Sequence, residues 1–328
     1  MHPFLLTQAQ NNQSAVKALA ANNKSKLIAG GTNLVDLMKM YVESPEELID
    51  INALELKKIE PVKGGGIRIG ALASNTDAAY HPAVMKQYPV LSQALLSGAS
   101  AQLRNMATVG GNLMQRTRCP YFFNDSFPCN KRVPGSGCSA IPGYNRMHAV
   151  LGTSDKCIAT HPSDMCVALA ALDALVKVQG PAGERTIPIR EFHVLPGDTP
   201  HIETRLQHDE LITAVEIPLL PFATHSHYLK VRDRASYEFA LASAAVALDV
   251  SGNTIRAARI ALGGVGTKPW RAEEAEKVLT GAPNTTPTYQ LAATAALKEA
   301  KGYKYNTFKI ELAKRTLVRA LATAGGIS

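Results

Sequence analysis

The sequence predicts an α+β fold in two parts, a larger domain over residues 1–223 and a smaller one over 224–328. Three observations lead there. Short apolar runs that end in glycine turns are interleaved with stretches of helical periodicity. The character of the chain changes near residue 224, where an alanine-rich alternating run and three helical segments follow one another. Inside the larger part, residues 114–159 keep no sustained period.

Residues 11–23 carry Ala and Val at helical spacing and predict a short helix. "KLIAGGTN" predicts a strand running into a glycine turn. "EELIDI" and "IRIGALAS" predict two more strands, the second entered through Gly64, Gly65 and Gly66. "NTDAAYHPAVMKQYPVLSQALLSGA" predicts helices broken at Pro82 and Pro89. "MATVGGNLMQRT" reads as a second apolar approach to a Gly-Gly turn. Helical periodicity resumes at "HPSDMCVALAALDALVKV", with Ser163 or Asp164 as the cap. "ITAVEIP" is a strand. "ASAAVALDVSGNTIRAARIALGG" predicts a β-hairpin about Ser251, Gly252 and Asn253. Helices are expected in "PWRAEEAEKVLTG", "TYQLAATAALKEA" and "FKIELAKRTLVRALATA".

Of the 328 residues, 46% are hydrophobic and 19% charged, an ordinary globular balance. The formal net charge of +8 is spread along the chain, and no basic stripe carries interleaved aromatics, so nucleic acid is not an expected partner. The longest apolar run is interrupted by Asp173 and Lys177 and is too short and too charged for membrane insertion. The N-terminus has no basic region followed by an apolar one, so no export signal of its own is expected.

The chemistry lies in two kinds of motif. "LIAGGTNL" and "TVGGNL" each place glycines where backbone N–H groups can converge on an anion, with Thr and Asn following as donors. Neither fits the Rossmann or P-loop pattern, and two ordinary tight turns remain an alternative. Four of the five cysteines, Cys119, Cys129, Cys138 and Cys157, fall in the aperiodic stretch at spacing C-x9-C-x8-C-x18-C. A long irregular segment needs something to hold it, and a metal cluster could supply the missing core. Iron–sulfur clusters take four thiolates without fixed spacing. Zinc prefers paired C-x2–4-C knuckles, absent here, although His148 and His161 keep a mixed site open. Cys166 lies in the apolar helical pattern and reads as core. Lys230, Arg232 and Arg234 alternate, which puts them on one face of a strand. No serine–histidine–aspartate or paired-carboxylate constellation emerges, so the chain reads as a subunit that binds something.

In their order, "AGGTNL", "TVGGNL", "HPSD", "DELITAVEIP" and "LKVRDRASYEFA" resemble the FAD-binding subunits of the molybdenum hydroxylases, over essentially the whole chain. Most members run almost directly from "GGNL" to "SD". Here about 45 residues intervene. A cysteine-bearing insertion there resembles two branches, 4-hydroxybenzoyl-CoA reductase and the bacterial three-subunit periplasmic aldehyde oxidoreductases. "RTRCPYFF", "PCNKR", "PGSGC" and "CIATHPSD" are more similar to the second.

The resemblance implies a two-part FAD-binding domain of the vanillyl-alcohol-oxidase type, followed by a smaller α/β domain of the carbon monoxide dehydrogenase flavoprotein type. By it, Leu27, Ile28, Ala29, Gly30, Gly31, Thr32, Asn33 and Leu34 form the first FAD diphosphate loop, and Thr108, Gly111, Asn112 and Leu113 the second. Asp164 holds the ribose or adenosine end, Ile212 lines the adenine or flavin pocket, and Lys230 approaches the isoalloxazine. Cys119, Cys129, Cys138 and Cys157 ligate a 4Fe-4S cluster. Gly98 falls where animal xanthine enzymes place an aromatic over the flavin, so NAD is not expected as acceptor.

The implied function is electron transfer. A large molybdenum-cofactor subunit oxidises aldehydes to carboxylic acids, a small 2Fe-2S subunit passes the electrons on, and FAD in this chain releases them to an external acceptor. The implied assembly is a heterotrimer, formed in the cytoplasm and open to export on a partner's twin-arginine signal. A 4-hydroxybenzoyl-CoA reductase subunit and a non-redox protein with a zinc-held docking module stand as alternatives.

Overall fold

A computed structural model describes residues 1–327. Three sheets organise the chain. The strands Leu5–Gln8, Glu47–Asp50 and Ser25–Ile28 form a small parallel sheet with Glu47–Asp50 in the middle. Five antiparallel strands follow in the order Ile59–Pro61, Gly66–Gly70, Leu211–Pro218, Leu175–Gly180, Gly183–Pro188. The central strand Leu211–Pro218 returns from far along the chain to pair with Gly66–Gly70 on one side and Leu175–Gly180 on the other. It is buried on both faces, which is why "LITAVEIP" reads as an almost continuous apolar run.

The third sheet lies in the C-terminal part, in the order Trp270–Arg271, Thr254–Gly263, Ala242–Ser251, Ser226–Val231. Its hairpin turns tightly, since Ser251 pairs with Thr254 and Gly252 takes φ +58°. Val246, Leu248, Ile260 and Leu262 on one face bury against Leu317 and Leu321 of the helix Phe308–Ala324. The opposite face meets the first domain. Ala245 and Ala261 share a core with Ala168 and Leu169 of the helix Asp164–Ala171, all eight residues of which are buried.

The prolines at 82 and 89 act as read. Each opens a helix at its first turn, after Asn75–Tyr80 and then after Pro82–Gln87. Three readings need correction. "TVGGNL" is not a strand and turn but a one-turn helix, Val109–Leu113, because the Thr108 hydroxyl accepts from the Gly111 N–H and caps it. "ALVKV" is not helical. The helix stops at Ala171, Asp173 takes φ +53°, and the chain restarts as a strand at Leu175. The strand carrying Lys230 ends at Val231, so Arg232 and Arg234 lie beyond it. Lys230 and Arg232 still share a side, since both donate to the Ser97 carbonyl (3.0 and 3.1 Å), while Arg234 turns away to Tyr237 and Glu238.

Residues 114–159 form an irregular layer with one four-residue helix, Pro120–Phe123. Their far end belongs to the C-terminal part. Val150 and Leu151 join its core, and Leu151 bridges Gly266. Asn306 donates to the carbonyls of His148 and Ala149, and the Lys309 ammonium donates to those of Met147, His148 and Gly264.

Candidate functional site

A cleft of about 550 Å³ runs between the small parallel sheet and the five-stranded sheet. That volume suits a cofactor. The first glycine loop forms one wall, with Leu27, Ile28, Ala29, Gly30, Gly31, Thr32, Asn33 and Leu34 all lining it. Thr108, Gly111 and Leu113 line the opposite wall, and Ile212 lies among them. Glycine is required at two positions here. A Cβ on Gly30 would stand 1.8 Å from the Met106 carbonyl oxygen, and Gly31 takes φ +69°. The two loops therefore approach each other more closely than any side chain would permit. The Asn33 amide nitrogen is buried in this wall with no hydrogen-bond partner, a donor waiting for an acceptor.

At one end the cleft carries a charged network. Arg116 holds Glu43 (2.6 Å) and Glu203 (2.5 Å), and Lys131 also holds Glu203 (2.6 Å). Burial works to raise the Glu203 carboxyl, but Lys131 and Arg116 outweigh it and hold it below the usual range. His161 and His193 stand against each other on the same wall, ring centroids 4.3 Å apart. Burial pushes both well down, His193 to about 4, so both rings are neutral.

The segment Thr160, His161 and Pro162 is shared with a second cavity of about 160 Å³. Asp164 lies on its wall, beside Arg118, His148, Glu238 and Phe239. The Asp164 carboxylate accepts from the Tyr228 hydroxyl (2.5 Å) and from Lys230 Nζ (2.8 Å). Lys230 and Asp164 are only 3% and 8% exposed, so this is a buried pair whose rupture would cost about 3–5 kcal/mol.

The four clustered cysteines meet around a third, small cavity inside the insertion, with Tyr121, Phe122 and Pro128 beside them. All four are free thiols, and Cys129 and Cys138 face each other across an isolated bridge. Burial pushes the Cys119 thiol up to about 12 and that of Cys157 up to about 11, so each resists ionising until a cation arrives. The Ala159 N–H donates to Cys157 Sγ (3.4 Å), and His148 Nε2 lies 3.1 Å from Cys119 Sγ. Cys157 also lines the large cleft, and Cys119 the second cavity. Cys166 is apart from this set, fully buried in its helix.

Residues 2–220 match the family described as the FAD binding domain in molybdopterin dehydrogenase, and residues 227–324 match the CO dehydrogenase flavoprotein C-terminal domain. The chain belongs to the FAD-binding subunits of the molybdopterin dehydrogenases. It is 52% identical over 321 residues to the aldehyde oxidoreductase FAD-binding subunit PaoB of Escherichia coli K12, covering 97% of this chain and 98% of the relative. It is 29% identical to the glyceraldehyde dehydrogenase medium chain of Sulfolobus acidocaldarius, over 86% of this chain and 83% of that one. Among solved structures, a carbon monoxide dehydrogenase from Hydrogenophaga pseudoflava aligns with a TM-score of 0.77 at 27% identity, covering 99% of both chains. The expected fold class, an FAD-binding domain followed by a flavoprotein C-terminal domain, is thereby shown. The chain is an oxidoreductase subunit of the molybdenum hydroxylase type.

For this flavin subunit, FAD fits the large cleft on the structure's own terms. Two glycine loops approach without side chains between them, and a buried amide donor lacks an acceptor. Two placements differ from the expectations. Asn112 is not on the cleft wall, because its side-chain oxygen turns away to accept from the Ser163 hydroxyl at 2.7 Å. Asp164 and Lys230 were assigned to opposite ends of FAD, yet they are ion-paired at 2.8 Å, so they cannot serve opposite ends of an extended dinucleotide. Asp164 faces the smaller cavity, and Lys230 stands behind it rather than on the wall. Gly98 lies beside them, where a Cβ would come 3.6 Å from the Asp164 carboxylate.

Sequence reasoning missed the Arg116–Glu43–Glu203–Lys131 network, His193 and Tyr228. Their partners lie 64 to 87 residues away, and no local pattern marks such pairings.

Proposed function

We propose that this chain is the flavin- and 4Fe-4S-binding electron-transfer subunit of an aldehyde-oxidising molybdenum hydroxylase. Its partners are a large molybdenum-cofactor subunit and a small 2Fe-2S subunit in a heterotrimer, and an external acceptor takes the electrons from FAD. The similarity to an aldehyde oxidoreductase subunit over nearly the whole of both chains supports the substrate class. The observation that carries the reading is the convergence of Cys119, Cys129, Cys138 and Cys157 on one cavity, which shares Cys157 with the large cleft and Cys119 with the second cavity.

Bound FAD would supply two-electron chemistry with one-electron access, and a bound cluster would supply one-electron storage. The chain's own residues do the positioning. Gly30 and Gly31 let backbone donors reach the diphosphate, with the Asn33 amide and the cap of the helix Val109–Leu113 alongside. Ile212 offers apolar contact. Cys119, Cys129, Cys138 and Cys157 would hold the cluster as thiolates, with the Ala159 N–H donating to one sulfur. Assembly in the cytoplasm with export on a partner's twin-arginine signal completes the proposal. Among the described residues no helix is long and apolar enough to cross a membrane.

Anaerobic titration of the purified complex tests the function. Aromatic aldehydes should bleach the flavin absorbance, and 4-hydroxybenzoyl-CoA should not act as an electron acceptor. Oxidation of the reduced complex by 4-hydroxybenzoyl-CoA, with no response to aldehydes, would assign the chain to the reductase branch instead.

A further inference from the structure

The smaller cavity holds an unbalanced charge. Arg118, next to Cys119 in "RTRCPYFF", lines it with a guanidinium whose Nη1 is buried and has no hydrogen-bond partner. The group is held by aromatic rings instead, 5.7 Å from the Phe123 centroid and 5.4 Å from that of Phe239.

Apart from the cluster-binding Cys119, every other charged side chain on that wall has a partner. Asp164 is neutralised by Lys230 and bonded by Tyr228. Glu238 pairs with Arg234 at 3.2 Å. Among the described residues, Arg118 is thus the one cation on the wall without a hydrogen-bonded or ion-paired partner. A buried cation without a partner is costly, and a cavity beside it is where an anionic or strongly accepting ligand would repay that cost.

We propose that Arg118 faces the pyrimidine edge of the flavin ring in this cavity and stabilises the negative charge which that edge carries when the flavin is reduced. The inference rests on the flavin reading, with the dinucleotide in the large cleft and the ring reaching past Thr160, His161 and Pro162, which line both cavities. It also moves a role. Lys230 was expected to approach the isoalloxazine, but its charge is answered by Asp164, whereas Arg118 has no carboxylate partner. Because Arg118 adjoins a cluster-binding cysteine, the insertion contributes directly to the flavin's electrostatics, not only to its own fold.

Sulfite provides the probe. Its sulfur lone pair forms a bond to flavin N5, no group leaves, and the negative charge moves onto the N1–C2=O edge. The heterotrimeric complex is compared as wild type, Arg118→Gln and Arg118→Lys, with flavin and iron content measured in each. The wild type should form the adduct. R118Q should bind sulfite about tenfold more weakly or worse, as the loss of one charged hydrogen bond implies. It should also show a lower flavin potential, and R118K should recover most of both. Flavin-loaded R118Q with wild-type sulfite affinity and potential would overturn the role of Arg118 alone. A wild-type complex without flavin would overturn the cavity assignment and this role with it. Should R118Q fail to assemble, the wild type still decides. Its reduced flavin should stay anionic at N1 well below the pH at which free reduced flavin takes up that proton, and protonation at the free value would refute the proposal.

Discussion

The hairpin Ala242–Ser251 with Thr254–Gly263 and the insertion at residues 114–159 share one core through Val150 and Leu151, yet they keep their shapes by different means. The hairpin runs nine paired positions with one bulge, and one face is filled by Val246, Leu248, Ile260 and Leu262. Its backbone bonds to itself. The insertion has almost no ladder: its backbone bonds are isolated turns, and side chains answer many of the carbonyls left over. Arg132 alone donates to the carbonyls of Tyr121, Phe122, Asp125 and Phe127. Lys309 answers two more, at Met147 and His148, and ties them to the Gly264 carbonyl. Its apolar cluster is built largely around the sulfurs of Cys119, Cys129, Cys138 and Cys157. A periodic region can fold on its own pattern, whereas an aperiodic one depends on a few long-range side chains and on whatever its cysteines bind.

Several changes would break or sharpen this contrast. The largest effect is expected from Cys129→Ser, which touches neither flavin cavity. It should abolish cluster iron and leave residues 114–159 open to limited proteolysis, with the hairpin still protected. Uniform loss of protection would show that the two regions are not separately held. Next comes Lys309→Met. The amine is fully buried, burial pushes it down to about 7, and its three carbonyl partners match the three protons of an ammonium. Leaving those carbonyls unanswered should cost about 3 kcal/mol or more in denaturant unfolding, and should loosen the insertion from the C-terminal helix. A change below 1 kcal/mol would remove Lys309 as a staple.

Ile260→Ala should cost about 2–5 kcal/mol in the hairpin core, with iron content unchanged. Coupled loss of iron would mean that the regions fold as one unit. The smallest effect concerns acid. Burial holds His193 at about 4 in the folded chain against about 6.5 unfolded, so below pH 6.5 the unfolded form binds the extra proton. Stability should therefore fall as pH drops from about 6.5 towards 4, by at most about 1.4 kcal/mol per pH unit for this group. His193→Gln should flatten that part of the melting-temperature profile, and an unchanged slope would assign it to other groups.

The same contrast explains what the sequence could convey. The hairpin, the proline-opened helices and the strand Leu211–Pro218 were legible because their physics is local and periodic. The glycine loop at Gly30 and Gly31 was legible because only glycine tolerates that approach. The short helix at Val109 was misread as a turn after a strand. "TVGGNL" holds too few residues to show a period, and its cap depends on one hydroxyl. The cysteines announced themselves by type. What holds the loop around them did not, because Arg132, Asn306 and Lys309 act on backbone carbonyls that carry no residue identity. The Asp164–Lys230 pair spans 66 positions, and no local rule connects its ends.

The central claim is that the four cysteines of the insertion hold an iron–sulfur cluster beside the flavin. The most direct measurement is iron, acid-labile sulfide and zinc per flavin in the anaerobically purified complex, taken on the wild type and on Cys129→Ser. The account predicts that the substitution removes about four iron atoms and about four sulfides per flavin while the flavin and the 2Fe-2S iron remain. One zinc per chain, lost on substitution with no change in iron or sulfide, would contradict it.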